Sequence, residues 1–310
     1  MTQDRRKFIQ TTAAGSAALL LSSLESFAQT DKPNFTSNKN FELKIFNTDW
    51  GFDGSRDAFC AKIKAAGYDG METSWPDEAQ DRDNLFAALQ KHKLDVGFLC
   101  GAWGNNAEEH FINFKKLVDR AAKQTIQKPL YINCHSARDF YSYEENKKFI
   151  DYTTALSKET GVKILHETHR SRILFAAHIT KQFIEKIPEL KITLDISHWC
   201  NVHESLLGDQ EETVNIALQR TEHIHARIGY EEGPQVNDPR APEWDYAVKK
   251  HFEWWDKVIE RKKKNGEPMT VLTEFGPPMY MQTLPYTLQT VSDQWAINVH
   301  MLQLLRKRYS

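Results

Sequence analysis

The sequence predicts an α/β fold, a closed (β/α)8 TIM barrel, and three observations carry that prediction. Short apolar or β-branched runs alternate with longer segments whose apolar residues recur at spacings of three and four, the signatures of strand and amphipathic helix. Eight such runs, each followed by a helix, fit the roughly 265 residues after the linker, which is the arithmetic of an eightfold barrel. Several runs end in a polar residue that a purely structural strand would not want: Glu72, His135, Glu167, Asp195, His225 and Glu274. In such a barrel chemistry gathers at the C-terminal ends of the strands. The competing doubly wound sheet wants a Gly-rich turn after its first strand. Here that turn reads Asn47-Thr48-Asp49-Trp50-Gly51, without G-x-G-x-x-G.

Taken in order, residues 1–28 read as a twin-arginine-type signal peptide. Arg5 and Arg6 precede a modest apolar stretch, Thr11 to Leu24, and Ser26-Phe27-Ala28 has the small-x-small pattern of a cleavage site. The stretch is too short and too polar to span a bilayer. The expected location is therefore periplasmic or otherwise exported. Residues 29–41 form a polar linker, and 42–310 form the barrel. The expected strands are Leu43–Asn47, Asp69–Thr73, Leu94–Cys100, Pro129–Cys134, Val162–Thr168, Lys191–Ile196, Glu222–Arg227 and Thr270–Phe275. Helical spacing shows in Phe59, Ile63 and Ala66, and in Phe111, Phe114, Leu117 and Val118. A long helix, Pro285 to Arg306, is expected to close the chain.

Composition removes several classes. With 40% apolar and 26% charged residues, the 310-residue chain is too hydrophobic for disorder. Its 40 Lys plus Arg against 42 Asp plus Glu leave a net charge of -2. Without a basic excess to collect phosphates, no nucleic-acid partner is expected. The four cysteines, Cys60, Cys100, Cys134 and Cys200, contain no C-x-x-C pair, which excludes a zinc finger and a thioredoxin motif. Buried free thiols are expected. HETHR, residues 166–170, spaces its histidines by three rather than four and lies on a strand and loop, so it is not the H-E-x-x-H of a zinc protease.

The last four strands each end in one potential metal ligand. Alternation puts Leu165 with Glu167, Thr193 with Asp195, His223 with His225, and Leu272 with Glu274 on single faces. If the intervening apolar residues pack on the outer helices, Glu167, Asp195, His225 and Glu274 all point into the barrel mouth. Three carboxylates there repel one another and cannot all stay ionised unaided. One divalent metal ion relieves this. Three carboxylates and one imidazole are a hard donor set that favours Mn²⁺ or Mg²⁺, with Co²⁺ or Zn²⁺ also admissible.

The segments AGYDGMETSW, LHETHR, LDISHW, HIHAR and LTEFGPP resemble those of the xylose isomerase-like superfamily, over about residues 42–306. That superfamily holds sugar isomerases and epimerases and the endonuclease IV type of apurinic-site nuclease. By match of motif the resemblance implies one divalent metal on Glu167, Asp195, His225 and Glu274. It also implies Glu167 and Glu274 as the proton-transferring pair and His198 as a substrate contact. The nuclease branch binds three metals. Here FLCGAWG lacks its histidine, and Arg240 of Asp238-Pro239-Arg240 replaces another ligand. His135 is thereby freed for substrate.

The expected activity is a metal-dependent sugar isomerase or epimerase, which abstracts a proton next to a carbonyl through a metal-stabilised enediolate. A second reading is a 3-keto-glycoside β-eliminating lyase on the same metal site, and a third is a non-catalytic carbohydrate-binding barrel. The partner is a small carbohydrate, with no membrane span; an oligomer stays open. The long connection from Gly229 to Trp244 is of functional length. Glu231, Gln235 and Arg240 on it, and Arg227 just before it, are candidates to reach the sugar. Arg170 and Glu72 are candidates for polar contacts. Trp50, Trp75 and Trp103 follow the first three strands, where they offer either a sugar platform or packing.

Overall fold

The structure is a computed structural model that describes residues 40–310. The expected signal peptide and most of the linker lie outside the described residues. The eight strands are β1 (Leu43–Thr48), β2 (Gly70–Ser74), β3 (Asp95–Gly101), β4 (Tyr131–His135), β5 (Ile164–Glu167), β6 (Ile192–Leu194), β7 (Thr221–His225) and β8 (Met269–Thr273). They pair in chain order, all parallel, and β8 closes on β1 through the register Phe46 to Leu272. All eight expected runs are strands of this barrel.

Among the described residues nine α-helices alternate with them: α1 (Arg56–Ala66), α2 (Ala79–His92), α3 (Ala107–Lys123), α4 (Tyr143–Thr160), α5 (Ala177–Lys186), α6 (Ser197–Val202), α7 (Glu211–Leu218), α8 (Asp245–Asn265) and α9 (Gln294–Tyr309). Their ends follow local chemistry. Ser55 accepts the Ala58 N–H at the start of α1, and Gly67, at φ 95°, ends it in a left-handed turn. Ser142 and Glu145 form a reciprocal capping box on α4.

The closing helix starts later than expected. Asp293 caps it by accepting the Ala296 N–H, so it begins at Gln294 rather than Pro285. Tyr286 and Leu288 have φ of 64° and 55°, values that no right-handed helix accommodates. The apolar spacing of Leu284, Leu288 and Val291 imitates a helix, while the backbone turns back on itself.

Two apolar layers show how alternation sorts the strand residues. Phe46, Tyr131, Leu165 and Leu272 pack together inside the barrel as its floor. Ile164, Ile192, Leu194, Ile224 and Val271 join the larger core beneath the helices. Leu165 and Leu272 therefore point inward, and Glu167 and Glu274, two residues on, stand above them at the mouth.

Strand packing at the floor leaves no slack at Gly70. A Cβ there would sit 2.4 Å from the Asp95 carbonyl oxygen and 2.7 Å from the Phe46 ring. We expect Gly70→Ala to cost about 1–3 kcal/mol through overpacking. Urea unfolding checks this, and an unchanged midpoint would show that β2 and β3 can separate freely. Cys60, Cys100, Cys134 and Cys200 are buried and unpaired. Among the described residues no helix is long and apolar enough to cross a membrane.

Candidate active site

Glu167 is the last residue of β5 and His225 the last of β7, while Asp195 and Glu274 directly follow β6 and β8. All four are buried or nearly so and converge at the mouth. His225 Nδ1 lies 2.8 Å from Glu274 Oε2 and 3.8 Å from Glu167 Oε2. Asn133 Nδ2 donates to Glu167 Oε2 at 2.5 Å, and His135 Nε2 is 3.0 Å from the same oxygen. Arg227 pairs with Asp195 through Nη2, which is also 3.5 Å from Glu274 Oε2. Ser197 supports Asp195, its N–H donating to Oδ1 at 3.2 Å. On the far side of His225, Glu72 Oε2 stands 3.5 Å from Nε2.

The charges are balanced inside the site. Burial alone would push Glu167 up, but His135 and His225 outweigh it and hold its carboxyl well below the ordinary range. Burial likewise opposes ionisation of Glu274, and His225 and Arg227 overcome it, so its value is also lowered. Burial raises Asp195 to about 6, with Arg227 pulling the other way and Glu274 and Glu167 adding to the rise. Burial works against a charged His225, yet Glu274, Glu167 and Glu72 raise it well above the usual imidazole value. Part of the compensation expected from a divalent ion thus comes from Arg227. The repulsion among three carboxylates is not by itself a reason for metal.

The donor atoms nevertheless fit one. Asp195, His225 and Glu274 each offer a ligand atom within 4.8 Å of the others, and so do Glu167, Asp195 and His198. The two triads share Asp195, and between them contain the four residues singled out from sequence. Glu167 Oε1 is buried without a hydrogen-bond partner, an orphan acceptor in a hard oxygen and imidazole set.

Above these groups lies a cavity of about 280 Å³ lined by Glu72, His135, His169, Arg227, Glu274, Tyr280 and Trp50, among others. Five of the sequence candidates therefore face it: Trp50, Glu72, His135, Arg227 and Glu274. Glu167 lies one hydrogen bond behind, through His135. The remaining candidates lie elsewhere. His198 is fully buried, with Nε2 2.9 Å from Arg227 Nη2 and its ring 3.8 Å from that of His169. Arg170 donates to Asn201 at 3.3 Å and lies over the Tyr280 ring. Arg240 is held by Asp238 through two bonds of 2.7 and 2.6 Å, so its expected reach to the sugar is spent within its own turn. Glu231 accepts from Tyr246, and Gln235 braces the Gly276 backbone. Trp75 packs against Phe86 and Phe98, and Trp103 stands 62% exposed on the rim.

Sequence patterning alone does not mark Asn133, His169 and Tyr280 as site residues. Asn133 shares the inward register of Tyr131 and His135, a signal alternation already carries. His169 belongs to HETHR, whose spacing carries no motif, yet its ring lies 4.6 Å from that of His135. Tyr280 comes from the irregular loop after β8, where no periodicity points inward; it receives the Arg227 guanidinium 4.6 Å from its ring centre.

A family model described as a xylose isomerase-like TIM barrel matches residues 60–242, more than half of the chain. No curated protein matches the sequence. Among solved structures, a 3-keto-D-glucoside 4-epimerase from E. coli is 15% identical, with 86% of this chain and 99% of that chain covered at a TM-score of 0.60. A D-tagatose 3-epimerase-like protein is 12% identical, with 86% and 98% covered and a TM-score of 0.56. A probable 3-DHS dehydratase from Bacillus anthracis is 14% identical, with 85% and 98% covered and a TM-score of 0.54. At such identities the likeness is one of fold.

Proposed function

The chain belongs to the xylose isomerase-like TIM barrel family, and from that premise we propose that it is a sugar isomerase or epimerase that moves a proton beside a carbonyl. One observation supports this most. Two carboxylates from β5 and β8, both held below the ordinary range, converge on one imidazole at the base of a sugar-sized cavity. Each is a carboxylate at neutral pH and so begins as a base. The carboxyl that takes the proton can return it at the next carbon on the same face; return at the opposite face needs the second glutamate to meet the bound substrate carrying a proton.

Glu167, Asp195, His225 and Glu274 would hold a divalent ion, Mn²⁺ or Mg²⁺ by hardness. When bound it supplies Lewis-acid polarisation of a carbonyl oxygen, worth several kcal/mol. The protein's own groups do the rest. Glu274 faces the cavity and exchanges a proton with the substrate directly. Glu167 lies 3.0 Å from His135 Nε2 and works at the wall His135 forms. Arg227, fixed by Asp195, orients a hydroxyl or carbonyl oxygen, and Tyr280 and Trp50 cover the cavity against water. Export through the N-terminal signal belongs to the same proposal; it would bring the enzyme free sugars and glycosides.

A β-eliminating lyase is the second reading, because one structural neighbour is named for a 3-keto-glucoside. Elimination uses the same first proton. Incubation with a ketose and Mn²⁺ in deuterated water separates the readings. We expect deuterium at the carbon beside the carbonyl. Aglycone release from a 3-keto-glycoside, with free ketoses unlabelled, would replace the isomerase by the lyase. Sugar binding with neither reaction would leave a binding barrel.

A further inference from the structure

Two arginines at the rim are held together without a counter-ion. Arg138 follows β4 by three residues, and Arg172 follows β5 by five. Their guanidiniums lie 5.3 and 4.8 Å from the Trp103 ring centre. The Nε of each is buried without a hydrogen-bond partner. Among the described residues neither forms a salt bridge, whereas Arg227 and Arg240 at the same end of the barrel each meet a carboxylate.

The backbone builds this placement. Arg138 is preceded by Ala137 at φ 47°, and Arg172 by Ser171 at φ 59°, a left-handed conformation that costs a non-glycine residue. The two loops are tied where the Ile173 N–H donates to the Ser136 carbonyl at 3.2 Å. The repulsion is felt locally. Burial and then the Arg138 charge lower Arg172, with Glu167, Asp139 and Tyr280 only partly offsetting them. Burial and the same two arginines push His110 down to about 4. A strained backbone that forces two like charges together beside a reaction site leaves a place for an anion.

We infer that Arg138 and Arg172 form an anion subsite, so that the sugar carries a carboxylate or a phosphate at the end away from its reacting carbonyl. The inference rests on the sugar reading of the cavity. The guanidiniums offer forked donors to the anion, and Trp103, 62% exposed beside them, offers an aromatic face to the adjoining C–H groups.

Matched ketoses test it: D-fructose, D-fructuronate and D-fructose 6-phosphate, titrated calorimetrically into the full-length protein. One of the two anions is expected to bind at least about tenfold more tightly than fructose, and which one does identifies carboxylate or phosphate. In Arg138→Gln/Arg172→Gln that preference should collapse to within about twofold, while Arg138→Lys/Arg172→Lys keeps part of it. Circular dichroism confirms that each variant is folded. Fructose bound as tightly as both anions, no binding of any of the three at millimolar concentration, or a preference that survives in the Gln variant overturns the subsite. Binding needs no turnover, so the two proposals fail separately. An anion held without deuterium exchange removes the isomerase and keeps the subsite. Exchange on fructose with no anion preference does the reverse.

Discussion

Glu274→Gln should exchange deuterium into a ketose at least about a hundredfold more slowly than the native protein. The substitution keeps the shape and can still accept from His225 Nδ1, now 2.8 Å from Glu274 Oε2. It removes the basicity and one negative charge. Glu167→Gln should fall by a similar factor. The geometry adds a finer expectation. Glu274 faces the cavity, whereas Glu167 meets it at His135. His135→Ala should therefore reproduce much of the Glu167→Gln loss and leave the first half of the exchange, at Glu274, faster than the complete turnover. Single-turnover labelling measures the two halves apart. Urea unfolding of each variant separates lost chemistry from lost structure, because Glu274 also balances Arg227 and His225. A near-native rate in either Gln variant removes the paired-carboxylate assignment.

The residues behind that prediction were readable because strand alternation is strict. Leu165 and Leu272 fill the barrel floor, so the residues two positions later had to rise into the mouth, whatever surrounds them. The same rule places Asn133 above Tyr131, although an amide at a strand end carries no chemical flag. What alternation does not carry is which neighbour a charged side chain chooses. Arg227 faces the cavity as the pattern implies, yet Asp195, just past the end of the adjacent β6, engages it. Arg240 has a local aspartate two residues away and takes it. Loops were legible only where a cap announced them. Asp293 marks the start of α9, but the apolar spacing before it masked the signal. Arg138 and Arg172 lie on loops without period, and only the folded chain brings them to one tryptophan.

Arg227→Met should destabilise the protein by about 3–5 kcal/mol, the usual consequence of removing one partner from a buried charge pair. The guanidinium is 2% exposed and serves both Asp195 and Glu274. Methionine fills much of the volume but leaves those carboxylates facing each other across a desolvated mouth, with only His225 to offset them. Arg227→Lys should recover part of the loss, since a point charge returns without the fork that reaches two carboxylates. Mn²⁺ gives a second readout that does not depend on turnover. Any ligand that binds only the folded state raises its stability by RT ln(1 + L/Kd), with L the free ligand concentration. The variant, short of one positive charge beside the same donor atoms, should gain more from Mn²⁺ than the native protein does. Urea unfolding with and without the ion measures both effects. A methionine variant as stable as the native chain would show that Asp195 and Glu274 do not need Arg227. An equal Mn²⁺ gain in both would show that the ion and the guanidinium act on different carboxylates, and both Asp195 and Glu274 would then drop out of the ligand set.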